Sequence, residues 1–376
     1  MSAHMLREEV AGRIEGLPPS LPAVYMRGGT SKGMFFHAGD LPPAGGDRDR
    51  VLLAVMGSPD PLQIDGMGGT VSSTSKAIIV EAGPDDAVTY WFAQVGVDEA
   101  RVDWSGNCGN LTTAVAPFAI EEGLVPAAHD VTRVRLINGN TGIEIHAEVP
   151  TPGGRVATTG GLAIAGVPGT GAPVVTRYLD PAGGVLGALM PLGSARSTLD
   201  TPHGAVEVSV VDAAHPNVFA RIADVAPDSV GRSVADLNAD PDFLARTEAV
   251  RAAAAVAVGA APDVSGAARD APAVPRLLLV GPGDGVADIS VLAFSMGRVH
   301  RGLPMTGALC LAAAACIPGS IVAEAAGGTT GVVRVRHPLG ISEAVAECAP
   351  GGEIVSVGVV RTARRLMDGR VYPREY

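Results

Sequence analysis

Two helices of small residues, Leu111 to Ile120 and Ala308 to Cys316, constrain this chain more than any other feature. Each is opened by a Gly-bearing turn and each follows a series of strand-like segments, so the two halves of the 376 residues echo one another and point to a duplicated unit. At 47% hydrophobic and 18% charged, the chain is long enough for two domains with a core each. Its 49 Gly and 29 Pro, set against 2 Trp, 5 Tyr and 7 Phe, favour many turns and short strands over long bundle helices.

Residues 22 to 37 read as strand, tight polar turn, strand, and residues 48 to 56 as a short amphipathic helix. A Gly-rich loop, Gln63 to Gly69, leads to Lys76 at the entrance of the apolar strand Ala77 to Val80, and 88 to 97 alternates as another strand. Cys108 falls near the N-terminus of a helix over Leu111 to Glu122. Strands are expected at 131–137, 141–149, 173–179 and 204–211, a helix at 241–256 and an exposed small-residue loop at 258–275. Leu277 to Val280 and Asp288 to Ser295 read as strands, and Met305-Thr306-Gly307 opens the second helix. Two such helix N-termini across a cleft would bind carboxylates through free N–H groups and dipoles.

The net charge of −11 argues against a nucleic-acid or anionic-membrane surface, which needs clustered Lys and Arg. No apolar run reaches membrane-spanning length and the N-terminus lacks a signal-peptide core, so a cytoplasmic location is expected. Cys108, Cys310, Cys316 and Cys348 have no metal-ligand spacing, and free thiols are expected, with Cys310 and Cys316 as buried filler. Neither a metal nor a nucleotide cofactor is implied. The run at 28 to 33 has Lys ahead of Gly, the reverse of a phosphate loop, and neither Gly66-x-Gly68 nor Gly281-x-Gly283 completes a dinucleotide fingerprint.

Only two lysines occur, Lys32 and Lys76, and each closes a Thr-Ser-Lys tripeptide. Arg stays protonated at every physiological pH, whereas Lys can lose its proton when burial or a nearby cation lowers its pKa. Lys76 is therefore the candidate base, with Lys32 an electrostatic neighbour if the two turns converge. Cys108, among Gly and Asn at a helix start, is a candidate acid/base group or substrate contact. Ser73-Thr74-Ser75-Lys76 also fits Ser-x-x-Lys, which keeps a Ser-Lys acyl hydrolase open. His300 is read as structural and Asp65 as a turn residue.

Tyr25 to Gly33, Gln63 to Gly69 with Ser72 to Lys76, Val102 to Asn110 and Ser295 to His300 together resemble the PrpF-type 2-methylaconitate cis-trans isomerase family, whose relatives include 4-oxalomesaconate tautomerase and methylitaconate Δ-isomerase. The resemblance runs from about Leu21 to the Arg361–Arg364 stretch. It implies an α/β (α+β) diaminopimelate-epimerase-like fold: two similar domains, each a curled, mostly antiparallel sheet around a central helix, with the site in the cleft between them. The expected division is an extension over 1–20 and domains at 21–185 and 186–376, the last strands returning to the first domain.

The implied activity is cofactor-independent proton transfer that moves or rotates a double bond of a small unsaturated tricarboxylate, with keto-enol tautomerisation or a Δ-isomerisation as alternatives. A non-catalytic carboxylate-binding relative is a further reading. The resemblance makes Lys76 the base and keeps Cys108, while the second-half thiol position of the epimerases falls at about Met305-Thr306. Expected substrate donors are Ser72, Ser73, Thr74, Asn107, Gly109, Asn110, Thr306 and Gly307, with Arg27, Arg298 or Arg301 for a distal carboxylate. Pro191 to Ser194, Ala213 to Asn217 and Arg301 to Pro304 depart from the family pattern, which bears on substrate identity. A small anionic polycarboxylate is the expected partner, with no nucleic acid and no membrane, and a homodimer stays open.

Overall fold

A computed structural model describes residues 19–104, 106–295, 297–329, 331–349 and 353–374. Most of the expected N-terminal extension, and Ser105 and Met296 of the motif segments, lie outside the described residues. The chain divides into two compact units. The first takes the described residues up to Ala163, with Val167–Thr176 and the chain from Arg361 onward.

In the first unit, β1 (Leu21–Gly28) and β2 (Ser31–His37) form a hairpin, followed by α1 (Gly46–Met56). β3 (Lys76–Ala82) runs parallel to β2 and pairs antiparallel with β4 (Val88–Val95), which also carries the short β5 (Val102–Asp103). Then come α2 (Gly109–Glu121) and the antiparallel pair β6 (Val131–Asn138) and β7 (Glu144–Pro150). Strand residues alternate faces. Met34, Phe36, Ala77 and Ile79 join Val51, Leu52 and Val55 of α1 in one core cluster. The opposite face carries Phe35, whose ring centroid lies 5.4 Å from that of Phe118 in α2. From Leu111 to Ile120 every residue of α2 is buried, and the helix touches β1, β2, β3, β4, β6 and β7. A helix apolar on all sides must be wrapped, and the sheet curls round it.

The second unit takes Ile164–Gly166, resumes within β8 (Val174–Leu179) and continues through β9 (Ser197–Thr201), β10 (Gly204–Ala213), β11 (His215–Arg221) and the short helices α3 (Ile222–Val225) and α4 (Val234–Asn238). α5 (Pro241–Ala257), α6 (Ala267–Asp270), β12 (Arg276–Pro282), β13 (Ile289–Ser295) and β14 (Arg298–Val299) precede the second wrapped helix, α7 (Met305–Ala315). After α8 (Ile321–Ala325), β15 (Val332–His337), β16 (Gly340–Cys348) and β17 (Ile354–Arg361) close the unit; β18 (Ala363–Val371) pairs with β1 in the first. β10 and β11 form a hairpin, β11 runs parallel to β12, and β12 is antiparallel to β13, the same sequence of pairings as β1 to β4. Every residue of α7 from Gly307 to Ala315 is buried, so each unit has the diaminopimelate-epimerase-like arrangement of a curled, mostly antiparallel sheet around one helix.

Residues 258–275 are not a simple exposed loop. Ala261, Ala267 and Ala271 are buried against Ala252 and Ala255 of α5, because side chains this small let the segment lie close on the helix. The four cysteines are free thiols, and complete burial pushes that of Cys310 up to about 12.

Candidate active site

The two Thr-Ser-Lys tripeptides lie side by side. The Lys32 N–H donates to the Ser73 carbonyl at 3.0 Å, and the parallel register of β2 on β3 pairs Met34 with Ala77. That register aligns Lys32 with Ser75 and Gly33 with Lys76, so the lysines point to opposite faces. Lys32 joins Tyr25 and Arg27 on the α1 side, with its Nζ 5.6 Å from the Tyr25 ring centroid. Lys76 faces α2. The expected electrostatic pairing of the two amines is thereby replaced by a division between the sheet's two faces.

Lys76 is 7% exposed. Its Nζ donates to Gln94 Oε1 and stands 4.8 Å over the centre of the Phe92 ring. The Gln94 amide is fixed the right way round, because its Nε2 donates to the Ser72 carbonyl at 3.1 Å and the Ser75 carbonyl at 2.9 Å. No carboxylate lies within ion-pair distance of Lys76 among the described residues, and no serine hydroxyl bonds its Nζ. The Ser73–Lys76 pairing that an acyl hydrolase needs is therefore missing.

The loop before Lys76 is braced by Gln63, which is buried. Its Nε2 donates to Ser58 Oγ at 3.0 Å and to Ser75 Oγ at 2.8 Å, and its Oε1 accepts from the Thr70 N–H at 3.0 Å. Gly68 packs on this side chain; a Cβ there would sit 2.2 Å from Gln63 Cδ. Asp65 is exposed in the turn, as its sequence setting suggests.

Cys108 is the N-cap of α2 and half-buried, and its side chain takes no helix N–H. Its Sγ lies 4.0 Å from Ser31 Oγ, on the β2 face that Lys76 shares. Gly33 links the two groups: a Cβ there would be 2.7 Å from the Lys76 carbonyl oxygen and 2.9 Å from Leu111 Cδ1. The start of β3 and the first turn of α2 thus meet at one glycine. Asn107 is oriented from behind, its Oδ1 accepting from Tyr90 at 3.1 Å and Thr112 at 2.9 Å. Tyr90 is fully buried, which pushes its hydroxyl up to about 12 and keeps it a donor. Asn107 immediately precedes the N-cap, next in sequence to the first turn of α2, whose leading N–H groups have no partner within the helix.

The other expected residues divide. Ser72 is exposed and Ser73 half-buried, and their carbonyls are already engaged by Gln94 and Lys32. Thr74 Oγ1 donates to the Val71 carbonyl. Asn110 is committed to the hairpin, donating to Thr30 Oγ1 at 3.1 Å. Arg27 Nη1 donates to the carbonyls of Gly29 and Thr362, both at 2.9 Å, a backbone brace on the face away from Lys76. In the second unit Gly307 is buried in the first turn of α7, and Thr306 Oγ1 accepts from Arg276 Nη1 at 2.9 Å. Arg298 donates to the Asn238 carbonyl at 2.9 Å; Arg301 lines a groove of about 920 Å³ with Arg336, His337 and Leu339. His300 Nδ1 lies 2.9 Å from the Gly302 carbonyl oxygen and 3.1 Å from the Gly302 nitrogen, a structural turn. No group of three or more His, Cys, Asp or Glu could hold a metal among the described residues.

Gln94 and Gln63 were not singled out by sequence reasoning. Gln94 had a signal: Tyr90, Phe92 and Gln94 share one face of β4, and a lone amide on an aromatic inward row needs a polar partner.

The family model described as "PrpF protein" matches residues 19–374. The chain belongs to the PrpF family. It is 43% identical over 359 residues to (4E)-oxalomesaconate Delta-isomerase of Novosphingobium sp. strain KA1, covering 94% of this chain and 97% of the relative. It is 38% identical over 386 residues to 2-methyl-aconitate isomerase of Cupriavidus necator, covering 93% and 96%. The crystal structure of a methylitaconate-delta-isomerase superposes with a TM-score of 0.87 at 36% identity, covering 95% of this chain and 96% of that one. This PrpF protein is accordingly an isomerase.

Proposed function

We propose that this PrpF isomerase shifts or rotates a carbon–carbon double bond in a small unsaturated polycarboxylate of the 2-methylaconitate class, with Lys76 as the base. The observation that carries the reading is the setting of Lys76: a buried amine with no carboxylate partner among the described residues, aimed by Gln94 and Phe92 and joined through Gly33 to the helix start that carries Cys108. In its neutral form the amine takes the weakly acidic allylic proton. The electrons left behind spread through the conjugated carboxylate as a dienolate, and the proton returns at the far carbon from Lys76 or from the Cys108 thiol. Negative charge growing on the carboxylate oxygens is met by the first-turn N–H groups of α2 and by the Asn107 amide, which are already oriented before reaction.

The relatives' names divide between methylaconitate, methylitaconate and oxalomesaconate, so keto-enol tautomerisation of an oxalomesaconate-type substrate belongs to the same chemistry. The reading includes a cytoplasmic location, in keeping with the four free cysteines. The test is incubation with 2-methylaconitate, aconitate and oxalomesaconate in deuterium oxide, followed by proton NMR. Isomerisation with deuterium uptake on at least one substrate is expected; neither event on any of them overturns the reading.

A further inference from the structure

The two units repeat the same pairings residue by residue. In the first, the hairpin partner strand starts at Ser31, and Gly33, two residues on, is in register with Lys76, the first residue of the parallel strand β3. In the second, the partner strand starts at His215, and Asn217, two residues on, is in register with Arg276, the first residue of the parallel strand β12. Arg276 therefore occupies in the second unit the position that Lys76 occupies in the first. Both point to the wrapped helix of their own unit: Phe92 and Tyr90 share the face of Lys76, and Leu278, two residues beyond Arg276, packs 3.5 Å from where a Cβ of Gly307 would lie.

We infer that Arg276 is a carboxylate-binding residue of the second unit, acting with Thr306 at the first turn of α7. Four observations carry it. Arg276 has no carboxylate within ion-pair distance among the described residues, whereas Arg251, Arg232 and Arg334 of the same unit are each paired with one. Nη1 is held by Thr306 Oγ1 at 2.9 Å, which anchors the fork and leaves Nη2 without a partner among the described residues. Nε is fully buried and finds no acceptor among the described residues. Asn217 in register and Thr306 are neutral, and His215 is held below its usual range by burial and then by Arg276 itself, so that it remains uncharged near neutrality; Glu248 and Arg251, which line a small cavity with Arg276, are already paired with each other. A half-buried guanidinium with one arm anchored and no counter-ion among the described residues is a site awaiting an anion, and its planar fork suits a carboxylate. Burial lowers its pKa, yet an arginine stays charged through the physiological range.

The inference deepens the proposed function by naming the residue that recognises a substrate carboxylate, and its test separates the two. Tricarballylate, a saturated tricarboxylate that cannot isomerise, is titrated calorimetrically into the wild type and into Arg276→Gln, Arg276→Lys and Thr306→Val. Removing a charge-assisted bond of this kind weakens binding by about 10- to 100-fold, so Arg276→Gln should lose that much, with Arg276→Lys between the two. Wild-type protein that does not bind tricarballylate overturns the inference, as does a folded Arg276→Gln variant within twofold of wild type. If Arg276→Gln does not fold, Arg276→Lys and Thr306→Val both binding as tightly as wild type overturn it, and weakened binding in Arg276→Lys supports it. Tricarballylate binding without deuterium exchange on any unsaturated substrate would sink the proposed reaction and leave this site standing. Exchange with an unchanged KM in Arg276→Gln would do the reverse.

Discussion

Gly28→Ala measures how tightly the β1–β2 hairpin holds the first turn of α2. A Cβ on Gly28 would lie 2.2 Å from the Asn110 carbonyl oxygen, 3.0 Å from its carbon and 3.1 Å from Leu111 Cα. All three atoms are backbone of the helix start, so no side chain can swing aside. Ordinary contact begins at 3.4 Å, and the turn must retreat by roughly 1.2 Å (3.4 less 2.2). Overpacking of this kind costs about 1–3 kcal/mol, and for a unit of this size each kcal/mol lowers Tm by about 2–4 °C. The larger effect is on turnover: Cys108 and the first-turn N–H groups move with the helix, and a misplacement of about 1 Å costs on the order of 100-fold in rate. Thermal unfolding by circular dichroism and deuterium wash-in by NMR supply the two readouts. Gly39→Ala is the control, because nothing lies within 4 Å of a Cβ there, and it should stay within about 0.5 kcal/mol of wild type. Gly28→Ala with wild-type Tm and wild-type exchange would refute the coupling of hairpin to helix start.

Lys76→Ala should abolish deuterium wash-in, by at least about 100-fold, and Lys76→Arg should not restore it because arginine cannot give up its proton; exchange within tenfold of wild type in either variant refutes the assignment. Gln94→Leu removes the acceptor of Lys76 and strands two loop carbonyls, so kcat should fall more than KM rises, with a loss of about 1–3 kcal/mol in chemical denaturation. Asp284 is held at about 2, first by the Ala287 N–H and then by Arg336, against an unfolded value of 3.8. A depressed carboxylate stabilises the fold above its unfolded pKa, and that contribution is lost as pH falls from 3.8 towards 2. Asp284→Asn should therefore flatten stability against pH in that window alone, and an unchanged slope there would count against it.

Much of the first unit was legible because its signals are local. The strand-turn-strand at 22 to 37, Lys76 at a strand entrance and Cys108 at a helix start follow from alternation and from glycine punctuation. β11 was not legible: its hairpin turns on Ala214, a non-glycine residue at φ 60 with no sequence marker for that conformation. The bracing role of Arg27 depends on the Thr362 carbonyl, 335 residues away, which no local pattern can announce. Arg276 was hidden for a related reason. In a chain whose surface cations are nearly all arginine, only the register of β12 on β11 singles it out.

The bonds around Gln63 all run in one direction. Its amide N–H groups feed Ser58 and Ser75, and those hydroxyls pass their own hydrogens on to the Gly96 and Val95 carbonyls at 2.6 and 2.9 Å. Neither serine has a hydrogen left to turn back. Glutamate at 63, which changes one nitrogen to oxygen and keeps the volume, would aim an acceptor at two occupied acceptors and bury a charge between them. Spontaneous deamidation would make the same change. Loss of a single ammonia would unfasten both ends of the segment from Ser58 to Ser75, making this side chain a point at which the protein can age out of its active form without any break in the chain.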